Sequence, residues 1–253
     1  MRRMERQTAI LKEVAKTGSV TALDLARALA VSGETIRRDI MALSEDGLLR
    51  RTHGGAAMPN PFEEPSFRQR LGENPEAKKA IARLAAKQVR NGDSLMLDTG
   101  STTAYVARAL LNHRDLLVVT NSVDIARTLA TRRGNRVYMA GGELRADDGA
   151  SLGQSASEFV QQFRVRLSII SIGAIDEGDG LMDYYLDEAE LSRAIIGRAE
   201  RAIIVADHTK FGRRGVVKVC RWEHIATLIT DCEPPKSFVK NLKKAGTEIL
   251  VTD

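Results

Sequence analysis

The chain is short of cysteine: Cys220 and Cys232 are the whole supply, with no CxxC pair. That excludes a disulfide framework and a thiolate metal knuckle, and it agrees with a reducing, cytoplasmic setting. The histidines His53, His113, His208 and His224 have no HExxH-like spacing, so no metal is expected. No apolar run approaches the ~20 residues that cross a bilayer, and the charged N-terminus MRRMERQTAILKEV lacks a signal peptide's apolar stretch, so no membrane partner is expected. Internal repeats and low-complexity tracts are also missing, which removes solenoids and tails. What remains is the composition of a globular protein, 43% apolar and 28% charged, with 253 residues enough for two domains, one of them small. The net charge of +5 is uneven: residues 1–55 hold 10 Lys and Arg against 7 Asp and Glu, leaving a nearly neutral body. A small basic head suits a phosphate-rich partner.

The stretch VTALDLARALAVSGETIRRDIMALSEDGLLRRTHGGAA, from Val20 to Ala57, reads as a winged helix-turn-helix. Thr21 and Ser32 stand at helix N-cap positions, each ahead of an apolar-periodic run. Ile36, Ile40 and Leu43 recur at i, i+4, i+7 and share a buried face, leaving Thr35, Arg37, Arg38 and Ala42 to face elsewhere. A helix carrying hydroxyl and guanidinium groups fits the major groove, where Arg can fork onto guanine. A strand over 48–52 with Arg51, then a turn at His53-Gly54-Gly55, would form the wing. Ahead of them, Ile10, Leu11 and Val14 complete a three-helix core behind Arg2, Arg3 and Arg6. An exposed Arg pair is commonly just solvated, so the weight rests on cap, TIRRD run, turn and basic wing occurring in that order.

Three of the six prolines crowd into Pro59–Pro65, and a fourth is Pro75. That predicts a semi-rigid linker over 58–75 between a DNA-binding domain at 1–57 and a larger domain at 76–253. Beyond it, short Val/Ile/Leu runs alternate with helical segments, which predicts an α/β fold with a mostly parallel sheet buried on both faces. Ligands of such sheets sit beyond the carboxyl ends of the strands, and the polar residues collect there. Asp98-Thr99-Gly100-Ser101-Thr102-Thr103 opens a helix with hydroxyls and free N–H groups, the outline of a phosphate cradle. It lacks the Lys of a Walker loop. Thr120-Asn121, Gly141-Gly142, Asp176 and Lys210 occupy further strand ends, and Glu188 a helix start. Each is unremarkable as a turn residue or surface charge; together they predict a small phosphorylated sugar or polyol as effector.

TIRRD (35–39), HGGAA (53–57), D-x-G-S-T (98–102), ALLNH (109–113), VTN (119–121), AGGELR (140–145), QFR (162–164) and DHTKFGR (207–213) run in one order along nearly the whole chain. In this the sequence resembles bacterial transcriptional regulators of the DeoR/GlpR family, and within it the glycerol-3-phosphate repressor branch. The resemblance implies a sensor domain similar to the ribose-5-phosphate isomerase and CoA-transferase folds, without turnover. It implies a repressor of a carbohydrate or polyol operon that binds double-stranded operator DNA as a homo-oligomer, dimer or tetramer, and answers to a phosphorylated effector such as glycerol 3-phosphate, with no cofactor. Two departures stand out: Gly33 where members often carry Pro at the start of the recognition helix, and DTGST where some relatives have D-x-G-T-T. A sugar-phosphate isomerase with an accessory domain is the competing reading, since Asp98, Asp176, Glu188 and Lys210 could supply acid, base and anchor. A winged head is of no use to an isomerase. A phosphate-dependent assembly module without DNA contact is the third.

Overall fold

The computed structural model describes residues 2–45, 48–58, 60, 63–132 and 134–252; Pro59, Pro61 and Phe62 of the Pro-rich stretch lie outside them. The chain divides into two compact units, Met1–Pro65 and Ser66–Asp253.

The first unit runs α1 (Arg3–Thr17), β1 (Ser19–Thr21), α2 (Ala22–Ala28), α3 (Gly33–Glu45), β2 (Arg50–Arg51) and β3 (Gly55–Ala57). α1 ends at Gly18, whose φ of 76° brings its N–H onto the Val14 carbonyl at 2.8 Å. Thr21 caps α2 by accepting the Asp24 N–H at 3.1 Å, and Ser32 does the same for Thr35 at 3.2 Å, so α3 starts at Gly33 with its cap in place. Ile10, Val14, Leu25, Ile36, Ile40, Leu43 and Leu49 form the core; Leu11 is half-buried at its edge. The three strands pair antiparallel in the order β1-β3-β2. Gly55 makes this possible, because a Cβ there would stand 2.0 Å from the Val20 carbonyl oxygen. The strand expected over 48–52 is only Arg50–Arg51. The Leu48 N–H is spent closing α3 on the Leu43 carbonyl, and Leu49 turns into the core.

The second unit opens with α4 (Phe67–Gly72) and α5 (Pro75–Ala86), so part of the stretch expected as linker is helical. It continues β4 (Ser94–Leu97), α6 (Ser101–Ala109), β5 (Leu117–Thr120), α7 (Val123–Ala130), β6 (Arg136–Met139), α8 (Gln154–Gln161), β7 (Val165–Ser171), β8 (Ala174–Asp176), β9 (Gly180–Asp183), α9 (Leu186–Ile196), β10 (Ala199–Val205), β11 (Val217–Cys220), β12 (Thr227–Thr230), α10 (Lys236–Ala245) and β13 (Glu248–Val251). Seven strands form a parallel sheet in the order β13-β12-β10-β7-β4-β5-β6. Its central strands are buried along most of their length, with one apolar cluster on each face, whereas the edge strands β6 and β13 are half-exposed. The chain enters at β4, winds outward through β5 and β6, then returns to the other side of β4 as β7. The order therefore reverses between β4 and β7, and in open parallel sheets ligands sit beyond the strand ends at such a reversal. β8, β9 and β11 form a separate antiparallel sheet, order β11-β9-β8, that the sequence pattern did not announce.

Candidate nucleic-acid interface and strand-end site

Burial of Ile36, Ile40 and Leu43 turns Glu34, Arg37, Arg38 and Met41 of α3 outward. Glu34 holds both guanidinium groups loosely, Arg38 at 3.2 Å and Arg37 at 3.9 Å, and their side chains stay 78% and 73% exposed. Such exposed pairs cost little to break, so both arginines can move to a new partner. Thr35 is half-buried with its hydroxyl 2.9 Å from that of Ser32, and Ala42 is half-buried too, so this pair faces solvent less than expected. Thr21 and Ser32 are exposed caps. Arg51, His53 and Gly54 are exposed at the wing, and the Gly54 carbonyl accepts the Ala22 N–H at 2.8 Å, tying the wing tip to the start of α2. Arg6 is not part of this basic face. Its Nε hydrogen-bonds Asp39, which is 2% exposed on α3, and Arg3 approaches the same carboxylate at 3.9 Å. The hydrogen bond that Arg6 donates to Asp39, together with the charge of that carboxylate, holds the Arg6 pKa above the ordinary value. The Asp of TIRRD thus orients α3 rather than reading anything.

In the second unit hydrogen bonds link the loops after β4, β5 and β7, which carry several of the expected strand-end residues. Gly100 begins α6 against β7, and a Cβ on it would stand 1.9 Å from Ser171 Oγ. Asp98, 6% exposed, accepts the Ser171 N–H at 3.1 Å; burial first and the charge of Glu188 second push its pKa well above the carboxylate range. Ser101 and Thr102 are buried at the same helix start. Thr103 Oγ donates to the Asp98 and Gly100 carbonyls at 3.0 and 3.1 Å, Thr120 Oγ accepts the Ser122 N–H at 3.1 Å, and Asn121 bridges the Thr99 N–H at 2.9 Å and the Ser151 carbonyl at 3.1 Å. These three brace the loops. Ser151 in turn donates to the Gly141 carbonyl at 2.7 Å, and Gly142, at φ 139°, has no room for a Cβ beside Ser151 Oγ at 2.9 Å.

Arg145 closes one side. It forms a two-pronged pair with Asp148, at 3.0 and 2.5 Å, and reaches Glu188 at 2.5 Å. Burial opposes its charge, but the two carboxylates outweigh burial and raise its pKa. The Glu188 carboxylate, expected as a ligand contact or a surface charge, is thus an ion-pair partner of a half-buried arginine. Lys210 Nζ lies 3.2 Å from the Gly173 carbonyl, two residues past Ser171. Asp176 departs from expectation: it lies in the small antiparallel sheet, where it accepts the Gly178 and Asp179 N–H groups at 2.8 and 3.0 Å and faces Arg214. Those backbone bonds lower its pKa, as for a turn-closing carboxylate. Among the described residues, His208, Asp231 and Cys232 bring ligand atoms within 4.8 Å of one another. His208 already meets Asp231 twice, through its N–H at 2.7 Å and Nδ1 at 2.6 Å, which ties together the ends of β10 and β12.

Sequence reasoning did not single out Arg145, Asp148, Ser151, Ser171 or Lys78. Arg145 stood inside the AGGELR match, which was the available signal; the serines gave none. Lys78 is 2% exposed on α5, and its Nζ donates to the Arg70 carbonyl on α4. Burial pushes its pKa down to about 8 despite the opposing pull of Asp207. Asp207, also buried, accepts the Thr209 N–H at 3.0 Å and hydroxyl at 2.6 Å, and Asn74 donates to it at 3.4 Å. Burial works against its charge, but the Thr209 bonds and the charges of Lys78 and Lys210 prevail and lower its pKa.

Comparison with known proteins agrees with both units. Residues 6–62 match the DeoR-like helix-turn-helix domain and residues 73–232 the DeoR C terminal sensor domain. The chain is 37% identical over 242 residues to the glycerol-3-phosphate regulon repressor of Escherichia coli K12, covering 96% of each chain. It is 38% identical to the protein of that name from Haemophilus influenzae, covering 99% of this chain and 98% of the relative. A ribose 5-phosphate isomerase from Methanocaldococcus jannaschii matches 56% of each chain at 15% identity, but with a TM-score of 0.41 it supports no argument. With both halves matched in order and full-length relatives named as repressors, the chain belongs to the DeoR family and is a DNA-binding transcriptional regulator, not an enzyme.

Proposed function

We propose that this regulator represses a polyol or sugar catabolic operon and that a phosphorylated polyol, with glycerol 3-phosphate the first choice, controls its grip on operator DNA. The observation that carries the reading is the pairing, in one chain, of a freely exposed Arg37/Arg38 face with a hydroxyl-lined helix start at the sheet's reversal point. The near-full-length identity to relatives named for the glycerol-3-phosphate regulon supports this effector class. Arg37 and Arg38 read base edges from α3 in the major groove, while Arg51, His53 and Gly54 follow the backbone through the wing. In the second unit the phosphate sits on the free N–H groups of Gly100–Thr103 with Lys210 as counter-charge, and Asp98 with the Arg145–Glu188 pair orders the hydroxyls.

One small head reads too few base pairs for specificity, so the working form is a homo-oligomer built on dimers. Its half-sites lie about 34 Å or a multiple apart. The protein works in the cytoplasm, beside its operator. Binding of the effector acts only through its preference for one of two states of the chain. A gel-shift titration of the operator region, with and without glycerol 3-phosphate, tests this. A change in apparent affinity with the phosphate ester and none with glycerol is the expected result; equal curves in all three conditions would refute the effector.

A further inference from the structure

A protein gains affinity for any duplex from each cation it presents to the phosphates and loses some from each anion. The outward face of α3 carries one anion. Burial of Ile36, Ile40 and Leu43 leaves Glu34, Arg37, Arg38 and Met41 exposed at i, i+3, i+4 and i+7, a single stripe along the helix. Glu34 is the first of the four, two residues past the Ser32 cap, and its side chain is 60% exposed. One carboxylate oxygen faces Arg38 at 3.2 Å and the other Arg37 at 3.9 Å, so the anion shares the side of the helix that carries both guanidinium groups.

Two accounts compete for it. A carboxylate in the first turn interacts favourably with the helix dipole, and the two arginines add weak exposed pairs. That account gives Glu34 no bearing on DNA sequence. In the other, the N-terminal part of a helix lying in the major groove is the part that meets base edges. A carboxylate there is repelled by every phosphate. The base edge that suits it is the N4 amino group of cytosine, because the amino group of adenine stands beside the N7 acceptor.

We propose that Glu34 is a specificity-determining residue of the DNA interface, its carboxylate accepting a hydrogen bond from the N4 amino group of an operator cytosine. This rests on the reading of α3 as the recognition helix. On other DNA the same carboxylate meets no amino group and repels the backbone, so it lowers affinity for wrong sites while supporting the right one.

The test is in vitro selection of a randomised duplex library by the full chain, then anisotropy titration of the selected duplex and its single-pair variants. The wild type should favour C·G at one position of each half-site and bind the other three pairs there roughly tenfold more weakly. Glu34→Ala, which keeps a good helix former, should bind all four pairs at that position about equally. It should keep its other preferences and bind an unselected duplex more tightly than the wild type does. Arg37→Ala and Arg38→Ala should relax different positions. If Glu34→Ala selects the wild-type site at every position while an arginine variant does not, Glu34 is only a helix-start charge and the proposal is overturned, whether or not the variant melts lower. Relaxation confined to positions that an arginine variant also relaxes overturns it too, because Glu34 then acts through the arginines. Relaxation at an A·T pair refutes the assignment to cytosine. If none of the three variants changes the selected site, α3 does not read bases, and the interface reading falls together with the proposal.

Discussion

The two units place their functional side chains oppositely with respect to their cores. In the first, the DNA-reading candidates Arg37, Arg38, Arg51 and His53 stand in solvent, and the core beneath them is built from other residues. In the second, Asp98, Thr102, Thr103, Thr120 and Asn121 are all buried, and several brace the loops that would hold the ligand. A surface that must slide along a duplex needs loosely held charges. A site selective for a small ligand needs polar groups fixed in place and shielded from water. So function and stability separate in the first unit and are entangled in the second.

Substitutions can break that contrast. The largest effect is expected for the double variant Arg37→Ala, Arg38→Ala, which should lose roughly 2–6 kcal/mol of operator discrimination if each arginine reads a base. Its melting curve should match the wild type; a clear drop in stability would blur the contrast. Gly100→Ala should cost about 1–3 kcal/mol of stability as well as effector response, because the new methyl meets Ser171 Oγ at 1.9 Å. Adding Ser171→Gly should restore part of the stability, and failure to do so would mean the clash lies elsewhere. Thr21→Ala should cost about 1 kcal/mol through its lost cap, measurable by denaturant titration of the whole chain and confined to the first unit.

The smallest effect concerns pH. The Asp98 pKa is raised in the folded chain, so the stability tied to its proton is complete below the ordinary carboxylate range of about 4 and is lost as pH climbs through the raised value. Asp98→Asn should therefore flatten the alkaline side of the stability–pH curve. An unchanged slope would show that Asp98 ionises without penalty and that its surroundings are wetter than its burial implies.

Much of the first unit was legible in the sequence because its signals are local. Caps at Thr21 and Ser32, the i, i+4, i+7 stripe of α3 and the glycines of the wing each act within a few residues. The Asp39–Arg6 contact was not legible, since it joins residues 33 apart and both look like surface charges in the sequence. In the second unit the parallel sheet followed from its continuous apolar strands, and the strand-end loops followed from the sheet. The small β8–β9–β11 sheet did not, because each of its short strands carries a charged residue, Asp176, Asp183 or Lys218, and none reads as a continuous apolar run. That is also why Asp176 was expected in the strand-end site.

By itself, then, the order of residues determined the helices of the first unit, the parallel sheet of the second, the family and the candidate faces, since periodicity, capping and motif order are properties of neighbours along the chain. Only the tertiary structure decided which polar residues hold a loop and which pair with a distant charge. Thr103, Thr120 and Asn121 became braces, Glu188 a partner of Arg145, and Lys78 a buried cation, because each role depends on atoms that lie far away in sequence and within about 3 Å in space. Burial then set the energies, making the same carboxylate or ammonium cheap on the surface and costly inside.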